Sequence, residues 1–130
     1  YRTRPEAAST GVAGTSLGGL VSLYLGITHP DTFTRLGVLS PSVWWADREI
    51  LDRVAALASK PPLRIWLDIG TLEDEETVPD TELLRNALVA KGFVDGQDLM
   101  FRIFSGARHD EAAWGARFDR VLKFLFPPVR

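Results

Sequence analysis

The stretch Ser9–Gly19, read as STGVAGTSLGG, constrains this chain more than any other. A short apolar run (Val12, Ala13) enters it, and a serine stands with glycine two residues before and two after: Gly14-Thr15-Ser16-Leu17-Gly18. A long apolar segment without proline follows at once, through Leu20, Val21, Leu23, Tyr24, Leu25 and Ile27. Strand, sharp turn and helix in that order commit the chain to an α/β architecture with a hydroxyl at the apex of the turn. A nucleophile elbow holds its serine in a strained backbone conformation, and side chains at the flanking positions would collide within the turn. Gly14 and Gly18 are expected to remove those side chains. The helix from Leu17 turns free N–H groups and the positive end of its dipole toward the same point. The Leu17 N–H is therefore the expected donor to an oxyanion formed on an attacked ester. Such turns also occur in α/β proteins without chemistry, so the rest of the chain has to supply the partners.

Taken in order, Tyr1–Ala8 is a polar lead-in containing Pro5, and Ser9–Gly14 is the first buried strand. The helix from Leu17 to about Thr28 is closed by His29-Pro30-Asp31, since proline disfavours helix in the residue before it. Leu36–Leu39 is a second strand, running into Ser40-Pro41-Ser42-Val43-Trp44-Trp45. Asp47 is expected to cap a helix carrying Ile50, Leu51, Val54, Ala55, Leu57 and Ala58, stopped by Lys60-Pro61-Pro62. Leu63–Ile69 is a third strand, followed by the acidic loop Gly70–Glu76. Pro79-Asp80-Thr81-Glu82 opens the next helix, whose stripe is Leu83, Leu84, Ala87, Leu88 and Val89, with Gly92 as its C′ residue. Leu99–Phe104 is a fourth strand, Ser105–Asp110 a loop, and one last helix carries Trp114, Phe118, Val121, Leu122 and Leu125.

Four strands alternating with helices predict a parallel sheet with helices on both faces, in a single domain without an internal boundary. In such sheets the ligand lies at the carboxyl ends of the strands. Each strand here ends in a chemically distinctive cluster: Ser16, Trp44-Trp45, Glu73-Asp74 and His109. All four are expected on one rim.

Ser16 needs a general base, and the chain has two histidines. His29, at a helix end before proline, reads as a cation on a helix C-terminus. His109 follows the fourth strand in a loop able to reach the rim, and it completes the order serine, acid, histidine. The orienting acid belongs after the third strand. Asp68 is still inside that strand, and Glu75-Glu76 reads as a solvated charge run. Glu73 and Asp74 remain; Glu73 is preferred and Asp74 is the alternative. Trp44 and Trp45, beyond a Ser-Pro-Ser turn, read as a wall for substrate, and Trp114 as packing beneath His109. A P-loop is excluded because Leu20 stands where lysine is required, and two distant histidines without cysteine do not make a zinc site. A net charge of −2 with dispersed basic residues provides no field for nucleic acid or an anionic membrane. No apolar run is long enough to span a bilayer, and the absence of cysteine leaves the compartment open.

Ala13–Gly19, Leu39–Trp45, Asp68–Glu73 and Gly106–Asp110 with Trp114 together resemble a family of α/β-hydrolase esterases. That family includes enterochelin esterases, esterase D, feruloyl and acetyl-xylan esterase modules, and mycolyltransferases. The Ser-Pro-Ser-Val-Trp-Trp segment is most similar to the enterochelin-esterase branch. The resemblance implies Ser16 as nucleophile, His109 as base and Glu73 as acid, with no metal or organic cofactor. Ala107-Arg108 departs from the glycine that often precedes the family histidine. Members are about twice this long, so the chain is expected to be the C-terminal half of such a domain, without the loop giving a second oxyanion donor. The edge beside Ser9–Gly14 would then be covered by a preceding segment or, through self-association, by another copy. The expected activity is hydrolysis of a small-molecule carboxyl ester by the whole domain; this stretch alone, short of one oxyanion donor, is expected to lose on the order of a hundredfold or more, up to all activity. An acyltransferase using the same three residues, or a non-catalytic binding module of a carbohydrate-active protein, are the alternatives.

Overall fold

The computed structural model describes residues 1–129. Four parallel strands, β1 (Gly11–Thr15), β2 (Arg35–Leu39), β3 (Arg64–Gly70) and β4 (Leu99–Phe104), lie side by side in chain order. Helices α1 (Leu17–Thr28), α2 (Trp45–Ala55) and α3 (Thr77–Ala90) connect them, and α4 (Glu111–Gly115) and α5 (Phe118–Leu125) follow.

Side chains alternate across the sheet, as the period of a strand requires. Leu36, Val38, Ile65, Leu67, Leu99 and Phe101 point to one face, where they bury Leu20, Leu23 and Ile27 of α1, Ile50 and Val54 of α2, and Leu84 and Leu88 of α3. Leu39 and Trp66 point to the other face and meet Val121, Phe124 and Leu125 of α5. The sheet is thus covered by helices on both faces, and its two central strands read as almost unbroken apolar runs for that reason. The outer edge of β1 carries no further strand among the described residues.

The register decides where chemistry can gather. Thr15 lies opposite Leu39, Leu39 opposite Asp68, and Gly70 opposite Phe104. Every strand therefore ends on the same rim. The loops leaving that rim are stitched together: Ser42 N–H donates to Ser16 O, Leu72 N–H to Ala107 O, and Gly106 N–H to Thr71 Oγ1.

Several local expectations shift. The first strand begins at Gly11, because Ala7–Ser9 closes a 3-10 turn. Helix α3 starts at Thr77, whose hydroxyl bonds back to Asp74 O, and it ends before Gly92 at φ 110°. Asp47 does not cap α2. Ala46, Asp47 and Arg48 form a left-handed turn, and Arg48 Nε reaches Asp80 Oδ1 at 2.7 Å, tying the segment to α3. The last helix is two. The break falls after Gly115, a poor helix former, and it lets Trp114 and Arg117 turn inward along separate directions.

Arg117, 3% exposed, is the consequence of that break. Its guanidinium clasps Asp68, itself fully buried, through Nε–Oδ2 at 2.9 Å and Nη2–Oδ1 at 2.8 Å. Trp66 Nε1 and the Ser40 backbone N–H complete the Asp68 carboxylate. A buried pair this fully hydrogen-bonded tolerates the loss of neither partner. Arg117→Met, which strands the Asp68 charge, is expected to cost about 3–5 kcal/mol, read as a drop in the urea unfolding midpoint.

Candidate active site

The elbow forms because β1 runs directly into α1 with a single residue between them. That residue, Ser16, has φ 57° and ψ −123°, a conformation other than glycine rarely takes. Its carbonyl accepts from both Leu20 N–H and Ser42 N–H, and its own N–H donates to Leu39 O. These bonds hold the strained residue in place. Leu17 is the first residue of α1, so its N–H has no carbonyl one turn back within the helix.

The two flanking glycines differ in what they do. A Cβ at Gly14 would lie 2.5 Å from the backbone of Gly18, whereas a Cβ at Gly18 would meet nothing within 4 Å. The expectation that Gly18 relieves a collision is therefore corrected. The second crowded position is Gly19, where a Cβ would lie 2.8 Å from Leu39 O.

Glu73 is positioned by Gly70. The carboxylate turns back over the strand end, where Oε2 accepts from Gly70 N–H at 2.6 Å and from Ser40 Oγ at 2.7 Å. A Cβ at Gly70 would strike Ala107 O and crowd Glu73 Oε2, so this close approach requires glycine. His109 Nδ1 lies 2.6 Å from Glu73 Oε1, and Nε2 lies 2.9 Å from Ser16 Oγ. The Glu73 side chain is 1% exposed and that of His109 41%, so the acid sits inside and the imidazole faces the opening. Trp114 packs its ring edge-on to His109, with centroids 4.8 Å apart, and donates Nε1–H to Ser40 Oγ.

Ser16, His109 and Glu73 are thus brought together. Asp74 is not joined to His109; it lines the recess above, a hollow of roughly 300 Å³ bounded also by Ser42, Trp44, Leu72 and Thr77. Trp45 faces elsewhere. It lines an apolar groove of roughly 450 Å³ between α1 and α2, with Leu17, Val21, Tyr24 and Ile50. His29 caps the far end of α1. Sequence reasoning passed over Ser40, Arg117 and Ser42, whose Oγ lies 3.3 Å from that of Ser16. Ser40 and Ser42 were visible only as a Ser-Pro-Ser turn, and an arginine in an amphipathic stretch gives no sign of facing inward.

Chemically, a hydroxyl hydrogen-bonded to an imidazole whose other nitrogen meets a buried carboxylate is an arrangement able to deprotonate the hydroxyl as it attacks an electrophile.

Residues 1–125 match a family model described as "Putative esterase". The chain is 30% identical over 129 residues to the protein YbbA of Bacillus subtilis, an alignment covering 93% of this chain and 50% of that one. It is 33% identical over 131 residues to the iron(III) salmochelin esterase of Escherichia coli, covering 89% and 30% respectively. The crystal structure of the enterobactin esterase of Shigella flexneri superposes with a TM-score of 0.81 at 29% identity, covering 96% of this chain and 33% of that one. The chain spans half or less of the length of these relatives.

The two glycines give a paired test of the elbow. Gly14→Ala forces the β1–α1 backbones apart and is expected to cost about 1–3 kcal/mol. Gly18→Ala is expected to hold or raise stability by up to about 1 kcal/mol, since alanine is the better helix former. Thermal melts of the two variants against the parent read the contrast.

Proposed function

The chain belongs to this esterase family, and from that premise we propose that it carries the reacting groups of a serine hydrolase acting on a small-molecule carboxyl ester. The observation that carries the reading is the continuous contact from Ser16 Oγ through the His109 ring to Glu73 Oε1, at 2.9 Å and 2.6 Å.

In this reading Ser16 Oγ attacks the ester carbonyl while His109 Nε2 takes its proton. Glu73 holds the imidazole by Nδ1 and stabilises the imidazolium that forms. The new oxyanion is met by the Leu17 N–H and by the positive end of α1. As the tetrahedral species collapses, His109 returns the proton to the leaving alcohol and Ser16 keeps the acyl group. A water then repeats the sequence, deprotonated by His109, and frees the acid. The exposed side of the imidazole suits both passages, because alcohol must leave and water must arrive along it.

The walls suggest how an ester would lie. Ser16 lines the recess with Trp44, and the next residue, Leu17, lines the groove with Trp45. A carbonyl held over the Ser16–Leu17 peptide places its two substituents on opposite sides, one toward each tryptophan. Flat or aromatic groups fit such walls well. Two relatives are named as esterases, of iron(III) salmochelin and of iron(III) enterobactin. We carry over from them only the ester bond.

Treatment with a fluorophosphonate probe is expected to label the protein on Ser16. Ser16→Ala is expected to lose that labelling and to lower kcat for p-nitrophenyl acetate by several orders of magnitude, leaving only the residual catalysis that binding and the oxyanion donor supply. A folded wild type that takes no label overturns the reading. Adding an acceptor alcohol separates water from alcohol as the second substrate, by whether free acid or a new ester accumulates.

A further inference from the structure

Ser40 follows the last residue of β2 and takes a left-handed backbone conformation, φ 43°, while 1% exposed. Non-glycine residues adopt that conformation at a cost, and the cost persists only where the surroundings impose it. What is gained is the placement of one hydroxyl. Ser40 Oγ lies 3.0 Å from Trp114 Nε1, 3.0 Å from Arg117 Nη2 and 2.7 Å from Glu73 Oε2.

The hydrogens in this cluster can be assigned by counting. A serine hydroxyl has one hydrogen to give and two lone pairs to receive with. Indole and guanidinium nitrogens can only donate, so both lone pairs of Ser40 are occupied. Its single hydrogen must therefore go to Glu73 Oε2. Arg117 cannot turn away, because three of its other four hydrogens are held by Asp68 and Ala113 O. Glu73 Oε2 thus receives two donors, Ser40 O–H and Gly70 N–H. Only Oε1 is left for His109, which can be satisfied there only by Nδ1–H. That leaves Nε2 unprotonated and facing Ser16.

We propose that Ser40 is a positioning residue: driven by Trp114 and Arg117 to donate to Glu73 Oε2, it reserves Oε1 for His109 Nδ1–H and sets the basicity of His109. The inference rests on the serine-hydrolase reading above and deepens it. Its electrostatic content is specific. A donor on Glu73 draws negative charge away from the edge facing His109. Without it, the carboxylate edge facing His109 carries more negative charge and stabilises a protonated imidazole more strongly, which pushes the acid limb of activity upward in pH. The other charged groups nearby are accounted for. Asp68 and Arg117 are paired with each other, Asp110 caps α4 at Ala113 N–H, Asp74 lines the recess, and Arg108 lines a separate hollow with Arg120.

The test is Ser40→Gly, since glycine accepts the left-handed conformation without strain and removes only the hydroxymethyl group. The chain has two histidines, and His29 lies one helix length from Ser16, about 18 Å along α1, so it serves as an internal reference. Imidazole titration followed by NMR is expected to show the His109 midpoint raised by about one unit in the variant, with His29 unmoved. The kcat/KM profile is expected to shift with it: about tenfold lower below the acid limb and recovering toward wild type at high pH. A purely structural defect would lower the rate at every pH. Trp114→Phe, which keeps a ring against His109 but releases one lone pair of Ser40, is expected to shift the midpoint in the same direction by less. It serves if Ser40→Gly does not fold. Midpoints unchanged in a folded variant overturn the proposal. Labelling that survives Ser16→Ala overturns the hydrolase reading instead, and the NMR titration requires no turnover.

Discussion

A carboxylate with no exposure cannot remain charged in a protein interior unless donors surround it. Asp68 has four. Two come from Arg117, one from the Trp66 indole and one from the Ser40 backbone. Those donors belong to the end of β2, the middle of β3 and the joint between α4 and α5, so satisfying one charge fixes three segments against one another. The break after Gly115 turns Arg117 inward to that charge and leaves Trp114 packed against His109. An apolar replacement of equal volume could fill the same space, often at no loss of stability. It could not direct a hydroxyl.

The strain in the molecule is concentrated on the same rim. Ser16 and Ser40, one residue beyond the ends of adjacent strands, both have positive φ, and so do Ala46, Asp47 and Arg48. Such positions cost of order 1–3 kcal/mol each. The sheet below is what sustains them, because its central strands are buried on both faces and its register is fixed by side chains that fit only one way. A one-residue slip of β2 would put Leu39 among α1–α3 and expose the underside of the site.

How much of this was legible in the sequence follows from how local each signal is. The elbow is written in five consecutive residues, Gly14–Gly18, and the strands in short apolar runs bounded by turns. Glu73 and His109 could be picked because each follows a strand at loop distance. That Glu73 rather than Asp74 meets His109 was not local: it depends on Gly70 allowing a carboxylate to fold back over the strand end, against Ala107 of another loop. Gly18 misled because a motif names positions without saying which backbone crowds them. Arg117 was hidden for a related reason. In the pattern Trp114, Phe118, Val121, Leu125 it falls beside the apolar stripe, and only the break at Gly115 turns it into the core. Asp47 has the residue type of a helix cap, yet Arg48 pairing with Asp80 outweighs that preference.

The same logic explains why two adjacent tryptophans end up on different sides. Trp44 and Trp45 lead into the left-handed turn Ala46–Arg48, a kink in the first turn of α2. Neighbouring side chains entering such a turn diverge, so one faces the recess and the other the groove. Both remain about half exposed, which a core role would not leave. The Ser16–Leu17 peptide stands between the two hollows for an equally simple reason: the elbow is where a strand's direction becomes a helix's direction. On one hand lies a recess of mainly polar side chains with Trp44, on the other an apolar groove with Trp45, and the first N–H groups of α1 lie between them. The kink in the first turn of α2 and the turn before α1 therefore act together, each shaping one side of the same opening.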